Sequence, residues 1–216
     1  MRDWETELKA MQFAISSDPR PSVDVIASAR NNPWDVLVST LISLRTKDAV
    51  TLSASQKLLA VAPGPQELLS LEVDEIAQQI YPAGFFRTKA KNLVKIAGRL
   101  LAEHQGLVPS DLESLLKLPG VGPKTANLVL SLGFQIPAIC VDIHVHRIAN
   151  RRGWISTQTP EESEHALKTI LPTSWWIPLN GILVAYGQQI CTPRSPRCST
   201  CPLSQNCPQI DVDRSR

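Results

Sequence analysis

The sequence predicts an all-helical protein, and three observations carry that expectation. Apolar residues recur at three-and-four spacing through most of the 216 residues. No stretch alternates apolar and polar residues as a half-buried strand does, and no internal repeat of fixed period is present.

Taken in order, Asp3 to Ile15 places Leu8, Met11 and Ile15 on one helical face and ends in the polar SSDPRPS. A second helix is expected to start near Pro33, with Asp35 in its first turn, and to run through VLVSTLISL. The turn Arg45 to Asp48 follows, with Asp48 as candidate cap of AVTLSASQKLLAVA. After APGP, QELLSLEVDEIAQQI resumes helical spacing until YPAG breaks it. FFRTKAKNLVKIAGRLLAEHQG is the next helix, with Lys89, Lys91, Lys95 and Arg99 on a polar face whose plain reading is a solvated one. In VPSDLESLLKL, Ser110 and Glu113 read as a capping box ahead of Leu112, Leu115 and Leu116. Past Gly133, FQIPAIC leads to VDIHVHRIANRRGW, where Asp142 precedes a helix. Val145 and Ile148 turn inward there, while His144, Arg147 and Arg151 share another face. TPEESEHALKTILP is amphipathic with acids in its first turn, and PLNGILVAYGQQI is apolar.

Formal net charge is only +2, so any nucleic-acid claim must rest on local basic clusters. The opening MRDWETELKAMQFAI mixes charges into its apolar residues and does not read as a signal peptide. The longest apolar run, Trp175 to Tyr186, is broken by Pro178 and Asn180 and falls short of the ~20 residues that span a bilayer. A soluble, intracellular protein is expected.

Chemistry concentrates in LPGVGPKTANLVL. Gly120 and Gly122 flank one apolar residue in a tight turn, so bare amides can approach a ligand. Pro123 suits a first helical position, and Ala126, Val129, Leu130 and Gly133 share a face to bury. Lys124 then stands at a helix start, where aligned peptide dipoles disfavour its ammonium and attract anions. One turn could grip a phosphate and hold a lysine of lowered pKa; a connector with a solvated lysine fits the same residues.

Five cysteines are present, an odd count that argues against a disulfide framework. Cys191, Cys198, Cys201 and Cys207 are separated by six, two and five residues, close enough to wrap one inorganic centre. Structural zinc is the alternative, although only Cys198 and Cys201 form a CxxC knuckle. Between the first two, TPRSPR carries Arg194 and Arg197 as candidate phosphate contacts. Cys140 reads as a buried small hydrophobe.

Together, LPGVGPKTA, VDIHVHR and the C-x6-C-x2-C-x5-C tail resemble the endonuclease III family of DNA glycosylases, within the helix-hairpin-helix superfamily. The likeness runs from PWDVLVSTLISLRTKD to Cys207. It implies two helical domains with the active site in a cleft between them. One is a six-helix domain, 25–137, carrying the hairpin; the other joins 1–24 to 138–216. It implies a 4Fe-4S cluster on Cys191, Cys198, Cys201 and Cys207. Lys124 matches the family's catalytic lysine and Asp142, eighteen positions on, its catalytic aspartate.

The implied activity is a bifunctional glycosylase and abasic-site lyase removing oxidised pyrimidines from duplex DNA. The protein is expected to be monomeric and cytoplasmic, nucleoid-associated if prokaryotic. Gly120, Gly122, Thr125, His144, Arg147, Arg194 and Arg197 are implied DNA contacts. Arg45 and Phe85 are implied wedges, standing where the family more often has glutamine and leucine. Ile143 replaces a usual threonine. The alternatives are a mismatch or uracil glycosylase, an enzyme that is mainly an abasic-site lyase, and a noncatalytic DNA-binding iron-sulfur protein.

Overall fold

A computed structural model describes residues 2–15, 20–30 and 32–216; SSDP, within the polar stretch after the first helix, lies outside the described residues. In chain order the helices are α1 (Trp4–Ala14), α2 (Ser22–Arg30), α3 (Pro33–Ser43), α4 (Asp48–Val61), α5 (Pro65–Leu69), α6 (Val73–Ile80), α7 (Phe86–His104), α8 (Leu112–Leu116), α9 (Pro123–Leu128), α10 (Ile143–Arg151), α11 (Pro160–Ile170) and α12 (Trp176–Gln189). No strand occurs among the described residues. Contacts sort the chain into two units, Ser22–Ile136 and Met1–Pro21 with Pro137–Arg216.

The first unit is built around α3. Asn32 caps it by accepting from the Trp34 amide at 3.0 Å, and Pro33 fills the first helical position. Every residue from Trp34 to Ile42 is buried, Asp35, Ser39 and Thr40 included, which requires neighbours on all sides. Those neighbours include α2, α4 and a π turn, Val129–Gly133, that continues α9. At Gly133 a Cβ would stand 3.1 Å from Pro33 Cα, so glycine allows that approach. Helix α7 lies on α5 and α6.

Helix α2 is absent from the sequence-based expectation, and the reason is non-local. Asp48 accepts from the Ser22 amide and, at 2.6 Å, from its hydroxyl. It therefore serves the start of α2 instead of its own helix, whose N-cap Lys47 makes no side-chain bond. The expected capping box at Ser110 and Glu113 is also corrected. The cap is Asp111, which accepts from the Ser114 amide at 2.8 Å. That later start puts Glu113 at the second position, where it pairs with Lys117 at 2.7 Å. On α7, Lys89 is buried, unlike a solvated-face lysine.

In the second unit, Leu8 and Met11 of α1 are fully buried with Val145, Ile148, Leu167, Leu183 and Tyr186. Glu7 is buried beside them. Its carboxylate accepts from Arg152 Nε at 2.8 Å, from Arg152 Nη2, and from Trp154 Nε1 at 3.1 Å. Truncating Glu7 leaves the Arg152 charge buried and unpaired, an imbalance that costs about 3–5 kcal/mol. Glu7→Ala is expected to lower the melting temperature by roughly 10 °C, and Glu7→Gln, which keeps an acceptor for Trp154, by less. A Glu7→Ala melt that overlays the wild type would show that this pair does not hold α1.

Candidate active site

The hairpin lies within the first unit. Gly120 has φ +78, the left-handed region that favours glycine, and a Cβ there would sit 2.9 Å from Asn92 Nδ2. A Cβ on Gly122 would meet nothing within 4 Å, so the space beside its α-carbon is open. Pro123 occupies the first position of α9 and Lys124 the second, half-exposed. Ala126, Val129, Leu130 and Gly133 are buried, as the helical spacing predicts. Thr125, an implied DNA contact, is 2% exposed and therefore packs inside.

Asp142 lies within the second unit as the N-cap of α10. Its Oδ1 accepts from the amides of His144 and Val145, each at 2.9 Å. Both bonds fall on one oxygen, so the cap occupies half of the carboxylate. On the same helix Val145 and Ile148 are buried, as expected, and the two histidines diverge. His146 Nδ1 meets Ser163 Oγ at 2.6 Å, whereas His144 Nδ1 faces Arg147 Nη2 at 3.0 Å.

The arginines Arg147, Arg151 and Arg152 turn inward. Arg147 donates to the carbonyls of Gly187 at 3.2 Å and Cys191 at 3.0 Å, and burial pushes its pKa down. Arg151, 7% exposed, donates to the carbonyls of Thr192 and Pro193 at 2.7 and 2.6 Å. Arg152 adds a bond to the Leu203 carbonyl at 3.1 Å. All three hold the cysteine segment, which ends helices and carries many carbonyls without helical partners. Arg147 therefore spends its donors inside the unit. Nothing in the spacing of RIANRR distinguishes an arginine turned inward from one in solvent.

Cys191, Cys198, Cys201 and Cys207 line one cavity with Ile148, Tyr186 and Ile190. Arg151 Nη1 reaches Cys191 Sγ at 3.7 Å, and the Tyr186 hydroxyl meets Cys201 Sγ at 2.8 Å. Among the described residues no group of three His, Cys, Asp or Glu side chains is disposed to hold a single metal ion; the thiols line the cavity wall instead. A thiol-lined, otherwise apolar space with hydrogen-bond donors to sulfur fits an iron-sulfur cluster. Arg194 and Arg197 are exposed on the loop between the first two cysteines. Cys140 is buried away from that cavity, a small hydrophobe as expected.

Residues 38–173 match the HhH-GPD superfamily of base excision DNA repair proteins, and residues 191–207 match the iron-sulfur binding domain of endonuclease III. Endonuclease III of Thermotoga maritima is 49% identical over 176 residues, 82% of this chain and 83% of that protein. The chain belongs to the endonuclease III family.

Two solved structures agree with that family assignment. A non-covalent endonuclease III–DNA complex superposes with a TM-score of 0.81 at 29% identity, covering 97% of each chain. A trapped endonuclease III–DNA covalent intermediate, an estranged-adenine complex, gives 0.78 at 34% identity over 82% of this chain and 84% of that one. As an endonuclease III family member the protein is a DNA glycosylase of base excision repair that carries a 4Fe-4S cluster. Purified protein is expected to be brown, absorbing near ~400 nm, with acid-labile sulfide accompanying the iron. Stoichiometric zinc without iron would contradict the cluster. No helix of the described residues is long and apolar enough to cross a membrane.

Proposed function

We propose that this chain is a bifunctional glycosylase and abasic-site lyase that removes oxidised pyrimidines from duplex DNA, with Lys124 as nucleophile and Asp142 as its acid–base and electrostatic partner. The observation that carries the reading is a half-buried lysine at the second position of α9, two residues after Gly122, whose α-carbon borders open space. A primary amine there can attack a sugar carbon while the backbone next to it receives a phosphate.

In this mechanism the neutral amine of Lys124 attacks C1′, and the damaged base departs with the bonding electron pair. The Asp142 carboxylate stabilises the positive charge that develops on the sugar and takes the proton the amine gives up. Ring opening leaves a protonated Schiff base on Lys124. That iminium acidifies the 2′ proton, whose loss expels the 3′ oxygen and cuts the strand on the 3′ side. The nucleotide must first leave the stack, and a damaged base leaves at lower energetic cost.

The amides of Gly120 and Gly122, the exposed Arg194 and Arg197, and His144 are each assigned to the DNA backbone. Arg45 and Phe85 are assigned to the vacancy left in the duplex. The cluster, when bound, cross-links the loop that presents Arg194 and Arg197. Such an enzyme works where the DNA is, in the cytoplasm at the nucleoid if its source is prokaryotic.

Lys124 favours this reading over a simple mismatch or uracil glycosylase, and the pair Lys124 and Asp142 favours it over noncatalytic docking. Duplexes each carrying one lesion, assayed with and without alkaline treatment, test it. Oxidised pyrimidines are expected to give strand breaks without alkali. Cleavage confined to pre-formed abasic sites would restrict the activity to the lyase step, and breaks that appear only after alkali would remove it.

A further inference from the structure

Two turns distant in sequence are locked together in the first unit. Arg45 and Phe85 both adopt left-handed backbone, at φ 55 and 57, which non-glycine residues rarely take unless the surroundings impose it. The Arg45 guanidinium carbon lies 4.7 Å from the centroid of the Phe85 ring, a cation–π contact, and Phe85 is 59% exposed. A Cβ on Gly84 would stand 2.3 Å from the Arg45 carbonyl oxygen, so only glycine lets the turns meet this closely. The Gly84 amide also donates to Thr46 Oγ1 at 3.0 Å.

Lys89 ties this assembly from beneath. Its amide donates to the Phe85 carbonyl at 3.0 Å, closing the first turn of α7 on the wedge residue. Its ammonium donates to the carbonyls of Ile42 and Leu44, each at 2.6 Å, and to Thr46 Oγ1 at 2.8 Å. All three ammonium protons therefore have acceptors, two of them at the C-terminal end of α3, where the helix dipole favours a cation. Lys89 is 8% exposed, and burial pushes its pKa down to about 8. A buried lysine that only filled space would be replaced at lower cost by an apolar residue. This one holds two exposed side chains in backbone conformations that cost energy.

We propose that Lys89 is a positioning residue for strand insertion, locking Arg45 and Phe85 into one preformed cation–aromatic wedge that enters the duplex opposite the extruded nucleotide. The proposal rests on the glycosylase–lyase reading above. A stacked pair needs no ordering at the moment of insertion, and its flat faces and donors suit an unpaired base.

The test uses the full protein with its cluster and two variants, Lys89→Met, which keeps length and loses the ammonium, and Thr46→Val, which removes the shared hydroxyl. One substrate is an abasic site in a duplex with 2-aminopurine opposite; the other is the same abasic strand unpaired, which offers no vacancy to fill. Both variants are expected to lower the ratio of duplex to single-strand borohydride-trapped product about tenfold, because misplacing a positioning group by about an ångström costs that much or more. The 2-aminopurine fluorescence change on binding is expected to shrink with it. A wild-type ratio and a wild-type fluorescence change in both variants would overturn the proposal. If Lys89→Met fails to fold by circular dichroism, Thr46→Val decides alone. Absence of trapped product from the wild type on either strand would instead overturn the lyase reading.

Discussion

Replacing Lys124 with alanine is expected to abolish the borohydride-trapped adduct on an abasic-site duplex and to slow strand cleavage more than about a thousandfold. Loss of a nucleophile that acts as part of a unit removes nearly all of the unit's acceleration. Trapping requires a primary amine, because only a Schiff base is reduced to a stable bond. The fold gives little reason for Lys124→Ala to unfold the protein. Lys124 is half-exposed at the second position of α9, and the buried face of that helix is carried by Ala126 and its successors. Alanine is also the better helix former. A point change of this kind costs about 0.5–3 kcal/mol of stability, less than the roughly 4 kcal/mol of barrier in a thousandfold rate loss, so activity and stability should separate. Residual base release that needs alkali to break the strand is compatible with the mechanism, since Asp142 could still favour attack by water. An undiminished adduct in Lys124→Ala would sink the assignment of the nucleophile.

Asp142→Asn should reduce base excision by about 10²–10⁴-fold while leaving the fold nearly intact. Asparagine is as good an N-cap as aspartate, and its carbonyl oxygen can still accept from the His144 and Val145 amides. What disappears is the negative charge. At the helix start that loss costs about 0.3–1 kcal/mol of stability, whereas the expected rate loss corresponds to about 3–5 kcal/mol of barrier. The variant therefore distinguishes a capping residue from a chemical one. The deficit should also be smaller on a pre-formed abasic site, where no base has to depart and less positive charge builds up. Matching small losses in melting temperature and rate would reduce Asp142 to a cap. Asp142→Ala, by contrast, would remove cap and charge together and decide neither role.

Much of the site is legible along the chain because its parts are local. In LPGVGPKTA the turn, the first helical position and the lysine are consecutive, and the structure has Gly120 at positive φ, Pro123 at the first position and Ala126 buried. Asp142 as an N-cap follows from its place before an amphipathic run, and four cysteines within one short segment announce a shared centre wherever the segment lies. Apart from the cap of α8, which moved one residue to Asp111, the partner was remote where the expectation failed. Helix α2 begins on Asp48, a residue 26 positions later. Lys89, Arg147 and Arg151 look like ordinary members of charged helical faces, and each turns inward to carbonyls more than 35 positions away. Periodicity records how apolar side chains are distributed; it carries no record of which charged side chain finds a buried acceptor.

The sequence by itself determined the helical class, the hairpin with its lysine, the aspartate cap and the grouping of four cysteines in one segment, because each depends on residues close together along the chain. Only the tertiary structure decided which charges are buried and what they hold. Glu7 fastens α1 through Arg152, three arginines brace the cysteine segment, and Lys89 joins the end of α3 to the start of α7 beneath Arg45 and Phe85. A buried charge is stable only where distant backbone groups converge to satisfy it, and that convergence exists only once the chain has folded.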